Sequence, residues 1–401
     1  MAIPAGEEKK FVKELLKSFS SEYFQALCAQ VIDTDKTIAP LSSFITGSLL
    51  AYGARGETRE EYFNKIGLPE DKTESAKIGY TQLLDELAKN GIRIEPKIRL
   101  PGQIKLNSDF AKFIKTVFRA ELGVRQTTSL DVVKKANEHI SFHNAVTFRP
   151  IWQIPFEPSD TVKRDFYVNQ NPNIKVPPAR LRMMYTEGIF RADDLPSEYN
   201  ASFIELPLKT EIGDDRMSIF VIRMTSDYTG ESQAFVEKIR SLDLTTLLKG
   251  PEKQLGVYLP KLKINFTYSL HVDKLAMRDA TGKATGEPTK NEKGPIDFNG
   301  VASPSPQIET RTNVLIKIDE NSEESFEPAA DYDRAFLKSR DFEVNRLFVA
   351  HVVAIKDDKP TMLMSFSFPD RDFIHHADDS DSDESWEIDE DLSSGRACMI
   401  I

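Results

Sequence analysis

The sequence predicts one large domain of mixed helices and strands, followed by an acidic tail. The chain has 401 residues, of which 40% are hydrophobic, enough for a sizeable core. Apolar residues repeat at helical spacing in some segments and alternate as in strands in others. No linker rich in glycine, serine or proline divides the first 369 residues. We therefore expect a single domain over residues 1–369 and a tail over residues 370–401.

The negative charge of the chain is concentrated in that tail. The formal net charge is −11, and residues 370–401 contain 11 Asp or Glu against Arg371 and Arg396. This density, without a periodic apolar face, predicts disorder. The rest of the chain is nearly neutral, and its basic residues alternate with apolar ones as on a solvated face. No nucleic-acid surface is therefore expected from the basic residues Lys97, Arg99, Lys105, Lys112, Lys115 and Arg119.

The N-terminal third is predicted to be mainly helical. A long amphipathic helix is indicated by the spacing of Phe11, Leu15, Phe19, Tyr23 and Leu27. After it, Thr37–Pro69 predicts a short strand and two helices. The first of these helices is opened by Ser42 or Ser43, and a glycine-marked stop follows at Gly53–Gly56. The second is capped by Thr58, with Glu61 at the capping-box spacing.

Helical and strand patterns then alternate. Tyr80–Asn90 and Asp109–Leu122 read as helices, and Ile92–Leu106 between them reads as a strand. Near the other end of the domain, the alternation of Val314, Ile316 and Ile318 indicates a strand.

A long charged connection follows that strand, from Glu320 to the next apolar stretch at Phe342–Val353. Ordinary connections inside compact domains have about 4–6 residues. This segment is therefore either a functional loop or disordered.

No catalytic or metal-binding pattern is found. The six histidines show neither the spacing of a zinc protease nor that of a catalytic triad, and no phosphate-binding glycine loop is present. His375 and His376 lie among acidic residues, which a solvated tail explains. Cys28 and Cys398 indicate neither a disulfide framework nor a metal cluster. We expect no enzymatic activity, no cofactor and no metal.

Localisation is predicted to be cytoplasmic. The N-terminus lacks the basic and apolar regions of a secretory signal, and no apolar run approaches the ~18–20 residues of a membrane span. The alternative is an extracellular protein exported by an unconventional or processed route. In that case the Asn200-Ala-Ser and Asn265-Phe-Thr sequences would be glycosylation sites.

The last four residues have the C-a-a-X form of a prenylation signal, with Cys398 as the acceptor. Terminal isoleucine is unusual at the final position, and the preceding region is acidic rather than polybasic. A single lipid there would give only weak membrane attachment.

Four ordered motifs resemble those of the serpin family. Pro40-Leu41-Ser42 with Leu49–Thr58 is similar to a family segment, and Asn144–Phe148 with Trp152 and Pro155-Phe156 resembles a strand and turn of the family. The two remaining matches are Met183-Met184-Tyr185 with Gly188 and Phe190, and Tyr258–Lys263. Together they cover about residues 8–369.

The resemblance implies an α+β serpin fold with three β-sheets, roughly eight to nine helices and an exposed reactive loop over about residues 320–342. Phe348 and Met362–Phe368 would then form the closing strands. Only a short segment precedes the Asn144 strand, and we expect a truncated helix there across the main sheet, formed by Leu130, Val133, Ala136 and Ile140.

The resemblance also implies a mechanism and a partner. In an inhibitory serpin, a protease cleaves the loop, whose N-terminal half then inserts into the main sheet. The family's hinge is small and mostly uncharged. If Glu320 aligns with the family's preceding glutamate, this chain has there Ser322, Glu323, Glu324, Ser325, Phe326, Glu327 and Pro328.

Glu323 and Glu327 would face the sheet interior, and Pro328 has no N–H for a central strand. We therefore predict a monomeric, non-inhibitory or weakly inhibitory serpin that binds a protein ligand. The alternative is a suicide inhibitor of a serine or cysteine protease, with the reactive bond near Phe336–Leu337. As trypsin-type alternatives for that bond, the loop offers Arg334, Lys338 and Arg340. A short surface helix over Pro328–Leu337 is the structural alternative to a bait loop.

Overall fold

The computed structural model describes most of the domain. The described residues are 6–30, 37–101, 104–124, 139–167, 177–210, 215–228, 230–270, 296–320, 341–368 and 397–399. Within them lie seven α-helices: α1 (Glu7–Gln30), α2 (Pro40–Gly53), α3 (Gly56–Ile66), α4 (Thr73–Lys89), α5 (Ser108–Val117), α6 (Ser232–Arg240) and α7 (Leu244–Leu247).

The strands fall mostly in the second half of the chain. In chain order they are β1 (Ile92–Leu100), β2 (Glu121–Val124), β3 (His139–Phe148), β4 (Val162–Phe166), β5 (Ala179–Asp194), β6 (Ala201–Leu208), β7 (Arg216–Met224), β8 (Glu252–Pro260), β9 (Leu262–Leu270), β10 (Gln307–Ile318), β11 (Asp341–Glu343), β12 (Phe348–Lys356), β13 (Lys359–Phe368) and β14 (Ala397–Met399).

The main sheet contains six of these strands, in the order β14-β9-β10-β3-β1-β2. At its centre, β10 pairs in parallel with β3, although more than 150 residues separate them in sequence. Its inner face is apolar, with Val146, Phe148, Val314 and Ile316 at most 1% exposed. This face packs on the helical layer that includes α2.

The other strands form a second, eight-stranded sheet in the order β11-β8-β5-β6-β7-β12-β13, with β4 also paired to β5. Three sheets were expected, but the 16-residue strand β5 joins two of them. Its middle part, from Met183 to Arg191, pairs with β8, and its end, Ala192–Asp194, pairs with β6.

Several predicted helix ends are wrong. Helix α2 begins at Pro40, with Ala39 as N-cap, so Ser42 and Ser43 lie inside the helix. Proline is well suited to the first helical position because its missing N–H would be unpaired there anyway.

Helix α3 begins at Gly56, with Arg55 as N-cap, and Thr58 is not a cap. Its hydroxyl accepts a hydrogen bond from the backbone N–H of Asp297 instead, 3.0 Å away. The Thr58 side chain, which the local pattern predicts to cap the helix, therefore forms a tertiary hydrogen bond instead.

The segment after α5 also differs from the prediction. The expected helix up to Leu122 ends at Val117, and residues 121–124 form the edge strand β2, parallel to β1. The expected helix across the main sheet lies largely outside the described residues. Its last predicted member, Ile140, belongs instead to β3, where it is fully buried opposite Ile308 of β10.

The tail was predicted to be disordered throughout. Residues 397–399 instead form β14, which pairs antiparallel with β9 at the edge of the main sheet. Residues 369–396 and 400–401 lie outside the described part of the chain.

Candidate functional site

The candidate site is the point where β10 ends and the predicted reactive loop begins. Asp319 and Glu320 are the last described residues before residue 341. Both are held by several side chains from other parts of the chain. We call this group the loop anchor: Asp319 and Glu320 with Arg149, Trp152, Thr161, Lys261 and Lys317.

Asp319 is fixed through its side chain and its backbone. Arg149 donates from Nε to Oδ1 and from Nη2 to Oδ2, both at 3.2 Å, and Lys317 Nζ lies 3.3 Å from Oδ2. The indole Nε1 of Trp152 donates to the carbonyl oxygen of Asp319 over 2.8 Å. A bidentate arginine contact and a buried indole hydrogen bond leave this residue little freedom.

Glu320 is held by a nearly buried ion pair. Its Oε2 lies 2.7 Å from Nζ of Lys261, and its Oε1 accepts a hydrogen bond from the hydroxyl of Thr161. The side chains of Lys261 and Glu320 are only 17% and 6% exposed. Removing one charge would leave the other uncompensated in a poorly solvated position, which is strongly destabilising.

Three connections bring these partners together. Arg149 and Trp152 follow β3, Thr161 immediately precedes β4, and Lys261 is the single residue between β8 and β9. The loop anchor therefore ties the end of β10 to both sheets.

The contact between β3 and β10 is the second part of the site, and we call it the seam. Ten residue pairs form it, from Gln307 opposite His139 to Ile316 opposite Phe148. A loop that inserted into the main sheet would have to separate all these pairs, because this is where β10 lies beside its parallel neighbour.

A buried polar network lies under the seam. Nδ2 of Asn144 on β3 donates to the hydroxyl of Thr46 at 2.6 Å and to the carbonyl of Ser42 at 3.1 Å, and both acceptors belong to α2. The Ser42 hydroxyl lies 3.3 Å from that of Thr312 on β10. The network thus joins α2 to both strands of the seam.

The far end of the loop is also anchored. Glu343 of β11 accepts from Nε of Arg164 at 2.6 Å, and its carbonyl accepts from Nη1 of Arg223 at 2.6 Å. The Arg223 guanidinium stacks 4.7 Å from the ring centre of Phe342. Burial, and secondly the neighbouring Arg346, lower the pKa of Arg223 below its usual value.

The structure places only some of the predicted site residues. Glu320 lies in the loop anchor, and the backbone of Cys398 lies in β14 opposite Ile264. The other predicted hinge and reactive-bond residues lie outside the described residues: Ser322, Glu323, Glu324, Glu327, Pro328, Phe336 and Leu337.

The partners of Asp319 and Glu320 were not predicted from the sequence. Trp152 and Lys261 lie within motifs that carry the serpin resemblance, and these motifs could have identified them as candidate site residues. Arg149 had no such signal, since only the fold brings it to Asp319, 170 residues further along the chain.

A small cavity of about 40 Å³ lies apart from the loop anchor, between α1, α4 and strands β7, β12 and β13. At its rim, Lys13 Nζ is 2.5 Å from Glu86 and 2.8 Å from Asp215. Since a site of this size holds only a few water molecules, we assign it no ligand.

Metal and membrane features were also sought within the described residues. No group of three or more His, Cys, Asp or Glu side chains there is arranged to hold a metal ion. None of the helices found there is both long and apolar enough to cross a membrane.

Comparisons with known proteins agree with this architecture. Antichymotrypsin-2 of Bombyx mori is 26% identical over 265 residues, which is 58% of this chain and 68% of the relative. Serine protease inhibitor 42Dd of Drosophila melanogaster is 24% identical over 291 residues, or 65% and 74%. A further relative is the corticosteroid-binding globulin of Mus musculus, 24% identical over 291 residues, or 63% and 67%.

The solved structure of a serpin from the trematode Schistosoma haematobium has the same fold. It superposes with a TM-score of 0.65 at 19% identity, and the match covers 88% of this chain and 98% of that one. This confirms the predicted α+β serpin fold. The model of the family described as Serpin (serine protease inhibitor) matches residues 14–143 and 131–280. The chain belongs to the serpin family.

Proposed function

We propose that this serpin does not insert its reactive loop efficiently and works as a protein-binding module. The observation that carries the proposal is the position of the loop anchor, since it fixes the residue from which the hinge is counted. Strand β10 ends at Ile318, and Glu320 is the last residue held by the anchor. The hinge is therefore counted from Glu320 onwards.

An inserted strand would begin beside the ends of β3 and β10. Alternate residues of such a strand face the layer beneath the sheet. If Glu320 aligns with the family's preceding glutamate, as the resemblance implies, the inward positions include Glu323 and Glu327. Phe148 and Ile316, the last pair of the seam, are completely buried and line the place that the first inward residue would enter.

A carboxylate in that layer would lack a compensating charge. The seam interior is formed by apolar side chains and by three uncharged polar ones, Asn144, Thr310 and Thr312. Asn144 and Thr312 direct their hydrogen bonds to α2. An uncompensated buried carboxylate costs several kcal/mol even after relaxation. Two of them would offset much of what the new strand gains.

Pro328 opposes insertion for an independent reason. A central strand needs every backbone N–H for its two neighbours, and proline has none to give. Its ring also fixes one backbone angle. Charge and backbone geometry therefore both disfavour the inserted state.

The alternative function is suicide inhibition of a serine or cysteine protease with the reactive bond near Phe336–Leu337. The observation in its favour is the family itself, because relatives such as antichymotrypsin-2 carry inhibitor names. Corticosteroid-binding globulin, whose name denotes binding, is similar to the same degree. These names alone do not separate the two functions.

The test is to mix the protein with chymotrypsin-, trypsin- and papain-type proteases and to search for a denaturant-stable covalent complex. We expect cleavage of the loop without a complex. A complex formed at sub-stoichiometric protease would refute the non-inserting function.

A hinge variant makes the test two-sided. Glu323→Thr combined with Glu327→Ala and Pro328→Ala removes all three obstacles, so we expect it to gain complex formation or loop insertion. Glu324→Ala is the matched control, because residue 324 lies on the opposite face of an inserted strand. A gain caused equally by Glu324→Ala would show that general loop charge, not burial, is responsible.

Cytoplasmic residence and lipidation at Cys398 belong to the same proposal. Mass spectrometry of the C-terminal peptide from the native host tests the lipid, and mass spectrometry of the peptides that contain Asn200 and Asn265 tests for the glycans of an exported chain. We expect a prenyl group on a fraction of the chains and no glycan at Asn200 or Asn265. An unmodified, untrimmed Cys398 would remove the lipid from the proposal.

A further inference from the structure

The outer edge of β9 is only partly covered within the described residues. On its inner side β9 pairs with β10 over nine residues, from Leu262 opposite Ile318 to Leu270 opposite Thr310. On its outer side it pairs only with β14, at Ala397–Met399. Six of the nine residues of β9 therefore have no strand beside them on that side within the described chain.

Such an edge is a template for another strand. Nine residues exceed the usual strand length of about 5–6, and unpaired N–H and C=O groups attract extended segments. β9 contains no proline to interrupt pairing. Its inward side chains Ile264 and Phe266 are 8% and 6% exposed, so the strand is firmly seated and presents a fixed edge.

We infer that this edge is a binding site for an extended peptide, and that the segment around Ala397–Met399 of the same chain occupies it. The pairing is antiparallel, with Ala397 opposite Asn265, Cys398 opposite Ile264 and Met399 opposite Lys263. Adding an extended peptide to a sheet edge is a common recognition mode, in which backbone hydrogen bonds supply the affinity.

The occupant fits the edge in composition and reach. Ala397, Cys398 and Met399 carry no charge and include neither glycine nor proline, in contrast to the acidic run before them. The 28 residues between Phe368 and Ala397 could span up to about 90 Å when extended. This length allows pairing within one molecule.

The test compares the full chain with a chain ending at residue 396 by hydrogen exchange. We expect faster exchange, by tenfold or more, in a peptide covering Leu262–Leu270, and unchanged exchange in β10. A synthetic peptide of the sequence LSSGRACMII, added in excess to the shortened protein, should restore protection. A scrambled peptide of the same composition should not.

Two variants separate backbone pairing from thiol chemistry. Cys398→Pro removes a backbone N–H and should behave like the shortened chain, whereas Cys398→Ser should behave like the full chain. Equal exchange in β9 for the full and shortened chains would overturn the inference. A full-length chain that is a dimer by light scattering and becomes a monomer on shortening would overturn occupation within one molecule.

Discussion

At the scale of single residues, Asp319 and Glu320 hold the start of the loop through different contacts. Asp319 is held by a guanidinium, an ammonium and an indole, while Glu320 forms a nearly buried ion pair. The first arrangement fixes the backbone of Asp319, and the second fixes the side chain of Glu320, the last described residue before the loop. Two adjacent carboxylates are tolerated here because each has its own cation.

A buried histidine makes stability sensitive to acid. His351 on β12 is completely buried, and burial, followed by the nearby Arg240, lowers its pKa to about 3. Unfolding would expose it and return its pKa to about 6.5. Between these values the unfolded chain binds a proton that the folded chain does not, so stability falls as the pH drops below about 6.5.

We therefore expect His351 to remove about 2 kcal/mol from the free energy of unfolding between pH 7 and pH 5. His351→Leu should flatten this part of the pH profile, measured by urea unfolding at several pH values. His139→Gln, at the partly exposed start of β3, is the control and should leave the profile unchanged. An unaltered acid dependence in His351→Leu would assign the effect to another group.

Some of these residues could be predicted from the sequence. Glu320 was identified because it ends an alternating strand pattern and matches a family position. Arg149, Thr161 and Asp319 were not, because their pairing depends on long-range contacts for which local spacing has no signal. The apolar stretch around His351 indicates a buried strand, but local spacing does not show that Arg240 would lie near this histidine.

At the scale of elements, the turn between α4 and β1 supports the loop anchor. Gly91 in this turn has a φ of +82°, and its carbonyl accepts a hydrogen bond from the N–H of Arg149 over 2.9 Å. A Cβ atom at Gly91 would lie 2.1 Å from the carbonyl oxygen of Arg149. The turn is therefore built around glycine, and it positions the arginine that holds Asp319.

Gly91→Ala should lower the free energy of unfolding by more than about 2 kcal/mol, because backbone strain and a backbone clash add together. Gly56→Ala is the matched control, since Gly56 has a φ of +52° but no atom within 4 Å of the added Cβ. That variant should lose only about 1 kcal/mol. Equal losses in urea unfolding would mean that the clash at Gly91 is relieved by a small shift.

Element type was more predictable than element ends. The long N-terminal helix and strand β10 followed from clear apolar periods. The starts of α2 and α3 did not follow from the sequence. Ser42 and Thr58 are of residue types that often cap helices, but here their side chains form tertiary hydrogen bonds. Strand β2 was taken for the end of a helix, since four edge residues are too few to establish a period.

At the scale of the whole molecule, the proposed function requires that the seam between β3 and β10 stay closed. Separating β3 from β10 disrupts ten residue pairs and the network that joins Asn144 and Thr312 to α2. An inserted strand would have to offset this loss by forming new residue pairs with both β3 and β10. Under the proposed function, Glu323, Glu327 and Pro328 prevent the new pairs from offsetting this loss.

Cleavage of the loop should therefore change the melting temperature by no more than about 2 °C, because no strand is added to the sheet. The measurement is calorimetry before and after limited chymotrypsin digestion. The variant Glu323→Thr/Glu327→Ala/Pro328→Ala should instead gain stability on cleavage, and Glu324→Ala should behave like the parent chain. A large rise in the parent chain would contradict the proposed function.

The overall topology could be predicted from the sequence only through the family resemblance. Local patterns identify helices and strands, but they cannot show that β10 lies parallel to β3 or that β5 joins two sheets. The short strand β14 was missed because three residues after an acidic run carry no strand pattern. Its position follows from the open edge of β9, a property of the assembled sheet.

The hydrogen bond from Trp152 to Asp319 gives the protein an intrinsic optical probe. The chain has only two tryptophans, Trp152 and Trp386. The Trp152 ring is 7% exposed, and its N–H is bonded to the backbone at the root of the loop. In a Trp386→Phe variant, all tryptophan emission would come from Trp152. A displacement of the Asp319 carbonyl could then be followed in real time, without a label, during protease attack or ligand binding.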